Sequence, residues 1–278
     1  MKIIKRFSLL FGEYRELLFH LSLKNLKIQY KYAILGFLWS LFLPLALAVI
    51  FWFVFGVVFN RSVGPLYLMI ALFPWNFIQM SITGGTSSVL EGRDLIRKVY
   101  FPREILPLSV VISNFINFIF AMAAIMLLIV AKRLWVGEAG LINFGFLLVP
   151  VFMLIIMVFT CGFSLIVACG QVYFRDVRYI VEVLLLLWFY MSPVFYDIEM
   201  VKKGIARLGM PFLYRLYLCN PFTCVLLWLR HVLRVGDNPA LTVNMNLLLI
   251  YALGSSFCIF LFGYWLFTRY DRGYADMI

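Results

Sequence analysis

The chain has 278 residues, of which 64% are hydrophobic and 13% charged, with a mean hydropathy of +0.99. A soluble domain of that length cannot hide so much apolar surface, so lipid must be part of its solvent. The net charge of +11 would point to nucleic acid in a soluble protein. In a membrane protein it reflects cytoplasmic loops facing anionic headgroups, and nucleic acid is not an expected partner.

The basic opening, MKIIKRFSLLFGEYRE, is interrupted by Glu13, Arg15 and Glu16 before its apolar run reaches the length of a signal peptide, so targeting is expected from later spans. From Glu13 to Lys31 the polar residues Glu13, Glu16, His20, Lys24, Lys27 and Lys31 recur every three or four positions. Tyr14, Leu17, Leu18, Leu21, Ile28 and Tyr32 fill the other face, with Asn25 as the one break. The pattern predicts an amphipathic helix within residues 1–33, lying on the cytoplasmic interface with Lys24, Lys27 and Lys31 near the headgroups of membrane lipids. Two roles stay open for it: a plain anchor, or an element that packs beside a soluble partner or attracts a substrate's pyrophosphate.

Six apolar stretches follow, at about 34–59, 66–88, 105–131, 144–170, 180–196 and 247–267. A crossing helix needs about 20 residues for a hydrocarbon core of about 30 Å. The expected fold is therefore an all-α polytopic membrane protein with six transmembrane helices. With the N-terminus inside, the inner segments hold 15 Lys and Arg and the outer ones 9, which places both termini in the cytoplasm. No repeat or linker divides residues 1–278. They read as one domain: the interface segment, a bundle at 34–267 and a cytoplasmic tail at 268–278.

Between the second and third spans, residues 91–104 place Glu91, Arg93, Asp94, Arg97, Lys98, Arg103 and Glu104 in a short turn with helical spacing, suited to docking a soluble partner. Gly84 and Gly85, just before it, are expected to allow close helix packing. Glu182 lies at the cytoplasmic end of the fifth span and is expected to reach the headgroups rather than serve a function in the membrane.

The outer segment 197–246 contains FTCVLLWLRHVL, an apolar run too short to cross, which reads as a re-entrant or interfacial helix with Arg230 and His231 as its polar edge. A second short helix is expected at 213–218, ended by Asn220 and Pro221. The pair forms either a lid over an exit or an amphipathic surface hairpin. Cys161, Cys169 and Cys258 lie in apolar spans as small hydrophobes, and Cys219 and Cys224 are expected as unpaired thiols. No cluster has metal-ligand spacing and no phosphate loop is present. His20 and His231 fall on opposite sides of the membrane. No catalytic site, metal or cofactor is therefore expected in this chain, and its energy source must lie elsewhere.

Several stretches carry a family resemblance: LFPWNF, GRDLIRKVYFPRE with the LPLS after it, ELLFHLSLKNLKIQYKYAILGFLWSLFLPL, YFRDVRYIVEVLLLLWFYMSPVFY and NPFTCVLLWLRHVLRVG. They are similar to the permease subunits of ABC-2 type exporters, and within those to the branch that moves lipid-linked polysaccharides out of bacteria. Together they cover most of the chain in family order. The outer loop at 202–211, KKGIARLGMP, departs by being longer and more basic. The resemblance implies a homodimer of permeases in the bacterial inner membrane, with a glycan on an undecaprenyl-type lipid passing between the copies. Two copies of a separate ABC ATPase would bind ATP and Mg below. It also implies that residues 91–104 are a coupling helix seated in the ATPase, through Arg93, Asp94, Arg97, Lys98, Arg103 and Glu104. The N-terminal helix would pack beside that ATPase, and Pro193, Asn220, Pro221 and Arg230 would belong to an outer gate.

The aromatic share, 18%, fits such a cargo, because the C–H faces of sugars stack on aromatic rings and adjacent weak sites let a polymer slide. Trp39, Phe42 and Phe53 on the first span and Trp188, Phe189 and Tyr190 on the fifth are the candidate lining. Against this, most aromatics in any span face lipid or other helices. The expected cargo is O-antigen first, then teichoic acid or capsule polymer. The remaining readings are a permease for a drug, peptide or small lipid, which fewer aromatics would favour, and a membrane-embedded glycosyltransferase, which would need acids or histidines gathered at an interface.

Overall fold

The structure, a computed structural model, describes residues 12–31, 38–58, 64–137, 144–235 and 244–270. Parts of the expected interface segment, including Tyr32, of the outer segment and of the tail lie outside them. The described residues contain helices and no strand, in keeping with a hydrocarbon solvent that forces each segment to satisfy its own backbone. In order these are α1 (Arg15–Tyr30), α2 (Leu38–Phe51, running on as a π-helix over Trp52–Val58), α3 (Pro65–Glu91), α4 (Arg93–Lys98) and α5 (Ile105–Val136). A 3₁₀ turn, Phe144–Leu148, leads into α6 (Val149–Tyr173). Then come α7 (Val177–Met191), α8 (Ile198–Arg207), α9 (Pro211–Leu218), α10 (Pro221–Leu233) and α11 (Met245–Tyr270).

Among the described residues, five stretches are long and apolar enough to cross a membrane: Leu41–Val58, Pro65–Lys98, Ile105–Val136, Gly145–Tyr173 and Met245–Tyr270. The pair α9 and α10, bent by 78°, passes the same test when taken together. The chain is thus a multi-pass bundle of five or six crossings. The expected fifth span, 180–196, differs. Its helix, α7, has 15 residues and rises only about 22 Å, against about 30 Å of hydrocarbon. It stops because Ser192 is extended, at φ −89 and ψ 150, and the residue before a proline is kept out of the helical region by the ring. The expected loop at 202–211 is also corrected. Most of it belongs to α8, which carries an i,i+4 bridge from Lys203 to Glu199 at 2.8 Å.

α3 and α6 form the centre. Their apolar windows are 72% and 67% buried, against 11% for Leu41–Val58 and 17% for Met245–Tyr270, so α2 and α11 stand at the perimeter. Small residues set the closest crossings. A Cβ on Gly263 of α11 would clash with the carbonyl of Gly162 in α6, and one on Gly85 of α3 would clash with Ser164 of α6. The expected close packing at Gly84 and Gly85 is therefore present, with Gly84 against Val110 of α5 and Gly85 against α6.

The breaks in the chain sort to two ends. One holds α4, the start of α5 and the joined C-termini of α6 and α11, where the Tyr173 hydroxyl donates to Tyr270 O at 3.1 Å. The other holds the start of α3, the end of α5 and α8 to α10. There Arg133 Nη2 donates to Leu233 O at 2.8 Å, and Trp228 Nε1 donates to Met245 O at 3.1 Å.

Candidate functional site

At the first end, α3 stops at Gly92, which packs so closely on Leu106 that a Cβ there would lie 2.7 Å from Cδ1. α4 starts at once, its Leu95 and Ile96 amides both donating to Gly92 O at 3.0 Å. Asp94 occupies the first turn and Arg97 and Lys98 the last, the order that the helix dipole favours. Leu95 and Ile96 pack against the core while Arg93, Asp94, Arg97 and Lys98 face outward. Val99 is extended and ends the helix, and buried Phe101 anchors the return. The tip between them carries Tyr100, 94% exposed, which sequence reasoning passed over although an aromatic in a charged turn was visible. Arg103 is half-buried. Glu104 is completely buried and so does not share the outward face of the charges with which it was grouped.

α1 lies along α5. Asn25, the break in the apolar stripe, is what joins them, its Nδ2 donating to Ser109 Oγ at 3.1 Å. Further along, Asn117 Nδ2 donates to Gln29 Oε1 at 3.1 Å. Lys24, Lys27 and Lys31 are exposed. Ile28, expected on the apolar face, is exposed, as is Phe19, so α1 shows lysines and large apolar side chains together.

Three cavities run from this end into the bundle. The first, about 710 Å³, is lined by Lys24, Lys98, Ser87, Glu91 and Asp94 among others. The second, about 360 Å³, lies between α1, α2, α3 and α5 and includes Trp39, Asn76, Asn114 and Asn117. The third, about 390 Å³, lies between α2, α3 and α7 and includes Trp75, Gln79, Glu182, Phe189 and Tyr190. The first two share Gln29, Met80 and Asn114; the last two share Leu43, Pro44 and Asn76.

Of the six candidate aromatics, Trp39 lines the second cavity and Phe189 and Tyr190 the third. Phe42 is exposed and meets Trp39 edge-on at 5.5 Å, and Phe53 is exposed away from it. Trp188 turns the other way, into a cluster with Trp75 and Phe159, each at 5.4 Å. It lines a separate apolar groove of about 760 Å³ between α6, α7 and α9. Glu182 bridges to Arg178 at 3.3 Å and also lines the third cavity. The carboxamides Asn76, Gln79, Asn114 and Asn117 were missed. Their signal was plain polarity within apolar runs.

At the other end, Pro193, Asn220, Pro221 and Arg230 come together in one corner. Arg230, expected on a polar edge, is only 3% exposed. Its Nη1 donates to Pro193 O at 2.7 Å and its Nη2 to Val194 O at 2.9 Å, the carbonyls freed where α7 ends. The guanidinium sits 3.5 Å over the Tyr67 ring, and the Tyr67 hydroxyl donates to Asp197 Oδ1 at 2.6 Å. Asn220 caps α10 by accepting from the Phe222 amide at 3.1 Å, while its Nδ2 donates to Ser192 Oγ at 3.3 Å. Pro221 opens α10 at the position where a missing N–H costs nothing. Cys219 and Cys224 are both free thiols, the first exposed and the second buried.

The chain is similar to known proteins over most of these elements. The family model described as ABC-2 type transporter matches residues 16–233, from α1 to the end of α10. The O-antigen export system permease protein RfbA of Myxococcus xanthus is 34% identical over 197 residues, covering 70% of this chain and 74% of its own length. Two RfbA proteins of Klebsiella pneumoniae bearing the same description also match. One is 30% identical over 213 residues (74% and 78% covered), and the other 28% over 193 residues (69% and 73%).

Proposed function

Because the chain belongs to the ABC-2 type transporter family, we propose that it is the permease subunit of an ABC exporter that carries a lipid-linked polysaccharide, O-antigen, across the bacterial inner membrane. ATP is hydrolysed by a separate subunit, two copies of which serve a homodimer of this permease. The α4 end and both termini face the cytoplasm, as the Lys and Arg distribution favours. The observation that carries the reading is the set of O-antigen export relatives, together with a family match that spans residues 16–233, from α1 to the end of α10.

The geometry supports a division of labour. α4 is a short lever whose charges face the ATPase and whose Leu95 and Ile96 rest on the bundle. A push on it passes through Gly92 and Leu106, which touch, into α3 and α5. The exposed lysines and apolar residues of α1 hold the cytoplasmic headgroup layer. Polymer passes between the two copies, with Trp39, Phe189 and Tyr190 as candidate lining, and the corner around Arg230 forms the outer gate. A strain lacking this chain should lose surface polymer and accumulate it on the lipid carrier inside, and expression of the chain together with its ATPase should restore export. Unchanged surface polymer in the deletion strain would overturn the reading.

A further inference from the structure

We propose that the pair α8 and α9 is a lipid-binding surface that takes the anionic headgroups of phospholipids in the leaflet it faces. The proposal goes beyond the exporter reading and needs only that this end of the bundle meets a headgroup layer. α8 is a helix of 10 residues with two unlike sides. Ile198 is buried and Val201 and Ile205 are half-buried, which holds it on the bundle. Lys202, Lys203 and Arg207 are exposed, and so is Arg215 on α9. Against these four cations the pair carries one acid, Glu199, bridged to Lys203. Between the helices the chain turns at Gly209, whose φ of +69 lies in the left-handed region that glycine enters freely. The turn and α9 present Leu208, Met210, Phe212 and Leu216, all exposed.

Cations and large apolar side chains exposed together on one short stretch suit neither bulk water nor hydrocarbon. Water would leave the apolar set unburied, and the bilayer core would strip the cations of their hydration. The headgroup layer meets both demands. There the apolar side chains enter the acyl boundary, while the long Lys and Arg stems carry their charges up to the phosphates. Length agrees, since α8 rises about 15 Å and α9 about 12 Å, each alone too short for about 30 Å of hydrocarbon. Trp135, 92% exposed at the end of α5, stands at the same end of the bundle and is the residue type that marks this depth. The excess of positive charge selects anionic headgroups over zwitterionic ones, because a phosphate without a compensating ammonium keeps a net charge to attract. The pair is also tied to the corner around Arg230, for Asp197, which precedes α8, accepts from the Tyr67 hydroxyl at 2.6 Å. A lipid grip on α8 therefore steadies the chain beside that corner.

The test uses the full chain with its native cysteines replaced and Met210→Cys labelled with bimane, in phosphatidylcholine nanodiscs. A small share of the lipid carries a nitroxide close to its headgroup, on phosphatidylglycerol in one arm and on phosphatidylcholine in the other. The phosphatidylglycerol probe should quench about threefold more strongly. That advantage should vanish in about 0.5 M salt, an arm that needs no further substitution. It should vanish as well when Lys202→Gln, Lys203→Gln, Arg207→Gln and Arg215→Gln are combined. Equal quenching by the two probes at low salt overturns the proposal, as does an advantage that survives both salt and the charge-neutral variant. Quenching by neither probe, with free access of acrylamide to the label, shows the pair standing in water and overturns it too. Equal lipid quenching together with shielding of the label by added dextran sulfate gives the cations to an acidic polymer instead, and the lipid site falls. None of these outcomes measures export, so each leaves the exporter reading untouched.

Discussion

The two ends of the bundle treat charge in opposite ways. At the α4 end, Arg93, Asp94, Arg97 and Lys98 are held out into solvent on a six-residue helix. At the α10 end, Arg230 and Arg133 are buried and donate their guanidinium protons to backbone carbonyls. A charge withdrawn from water must be matched inside the protein, so its position reports on how the chain itself is held together. A charge kept in water on a short, pinned helix adds little to the fold, and its arrangement is free to answer to a partner.

Arg230→Ala tests the buried side and should have the largest effect. It leaves the carbonyls of Pro193 and Val194 without their charged donor, a loss of about 3 to 5 kcal/mol. The thermal midpoint of the purified protein in detergent should fall by on the order of 10 °C. Arg230→Lys should recover only part, because a single ammonium cannot fork between two acceptors as a guanidinium does. A midpoint close to that of the parental chain would show that buried charge is not what organises this corner.

Reversing Arg93, Arg97 and Lys98 to Glu tests the exposed side. The midpoint should hold, since all three are exposed, while the ATPase should cease to co-purify and surface polymer should disappear. Full export by the triple variant would take docking away from α4 and dissolve the contrast between the ends.

The difference in burial also explains what was legible in sequence. Hydropathy and Lys and Arg counts are sums over many residues, and they gave the helical bundle, the long spans and the charged turn. Close packing at Gly84 and Gly85 was legible because small residues have one main use inside a span. Arg230 was placed on a polar edge because helical periodicity cannot distinguish a charge facing water from one facing freed carbonyls elsewhere in the chain. Those carbonyls belong to residues 36 and 37 positions away. Glu104 was misplaced for the same reason, grouped with exposed neighbours although its side chain turns inward. The shared cavity was invisible because Asn76 on α3 and Asn114 on α5 line one space only when the helices pack.

Tyr67→Phe sharpens the buried side by removing one hydroxyl while keeping the ring beneath the guanidinium. It loses the 2.6 Å bond to Asp197 and retains the cation–π contact. The cost should be about 1 kcal/mol, clearly less than that of Arg230→Ala. Since both residues hold the same corner, combining them should destabilise by less than the sum of the two. Strict additivity would mean that Tyr67 and Arg230 act separately.

The smallest effect should come from an exposed pair that happens to lie at the α10 end. Glu199 and Lys203 meet at 2.8 Å on the surface of α8, with side chains 54% and 68% exposed. Lys203 holds the Glu199 carboxyl below its ordinary value, through the hydrogen bond first and its charge second, with Lys202 adding to the charge. A depressed carboxyl favours the folded state above its unfolded value of 4.5, and the favour fades as pH falls through the lower folded value. Solvent screens the pair almost completely, so Glu199→Gln should leave the thermal midpoint unchanged both at neutral pH and near pH 4. If burial, and not position along the bundle, decides which charges hold the fold, this bridge must be dispensable although it shares an end with Arg230. A fall like that of Arg230→Ala would mean that the α10 end depends on charge wherever it sits, and the contrast would then be one of location alone.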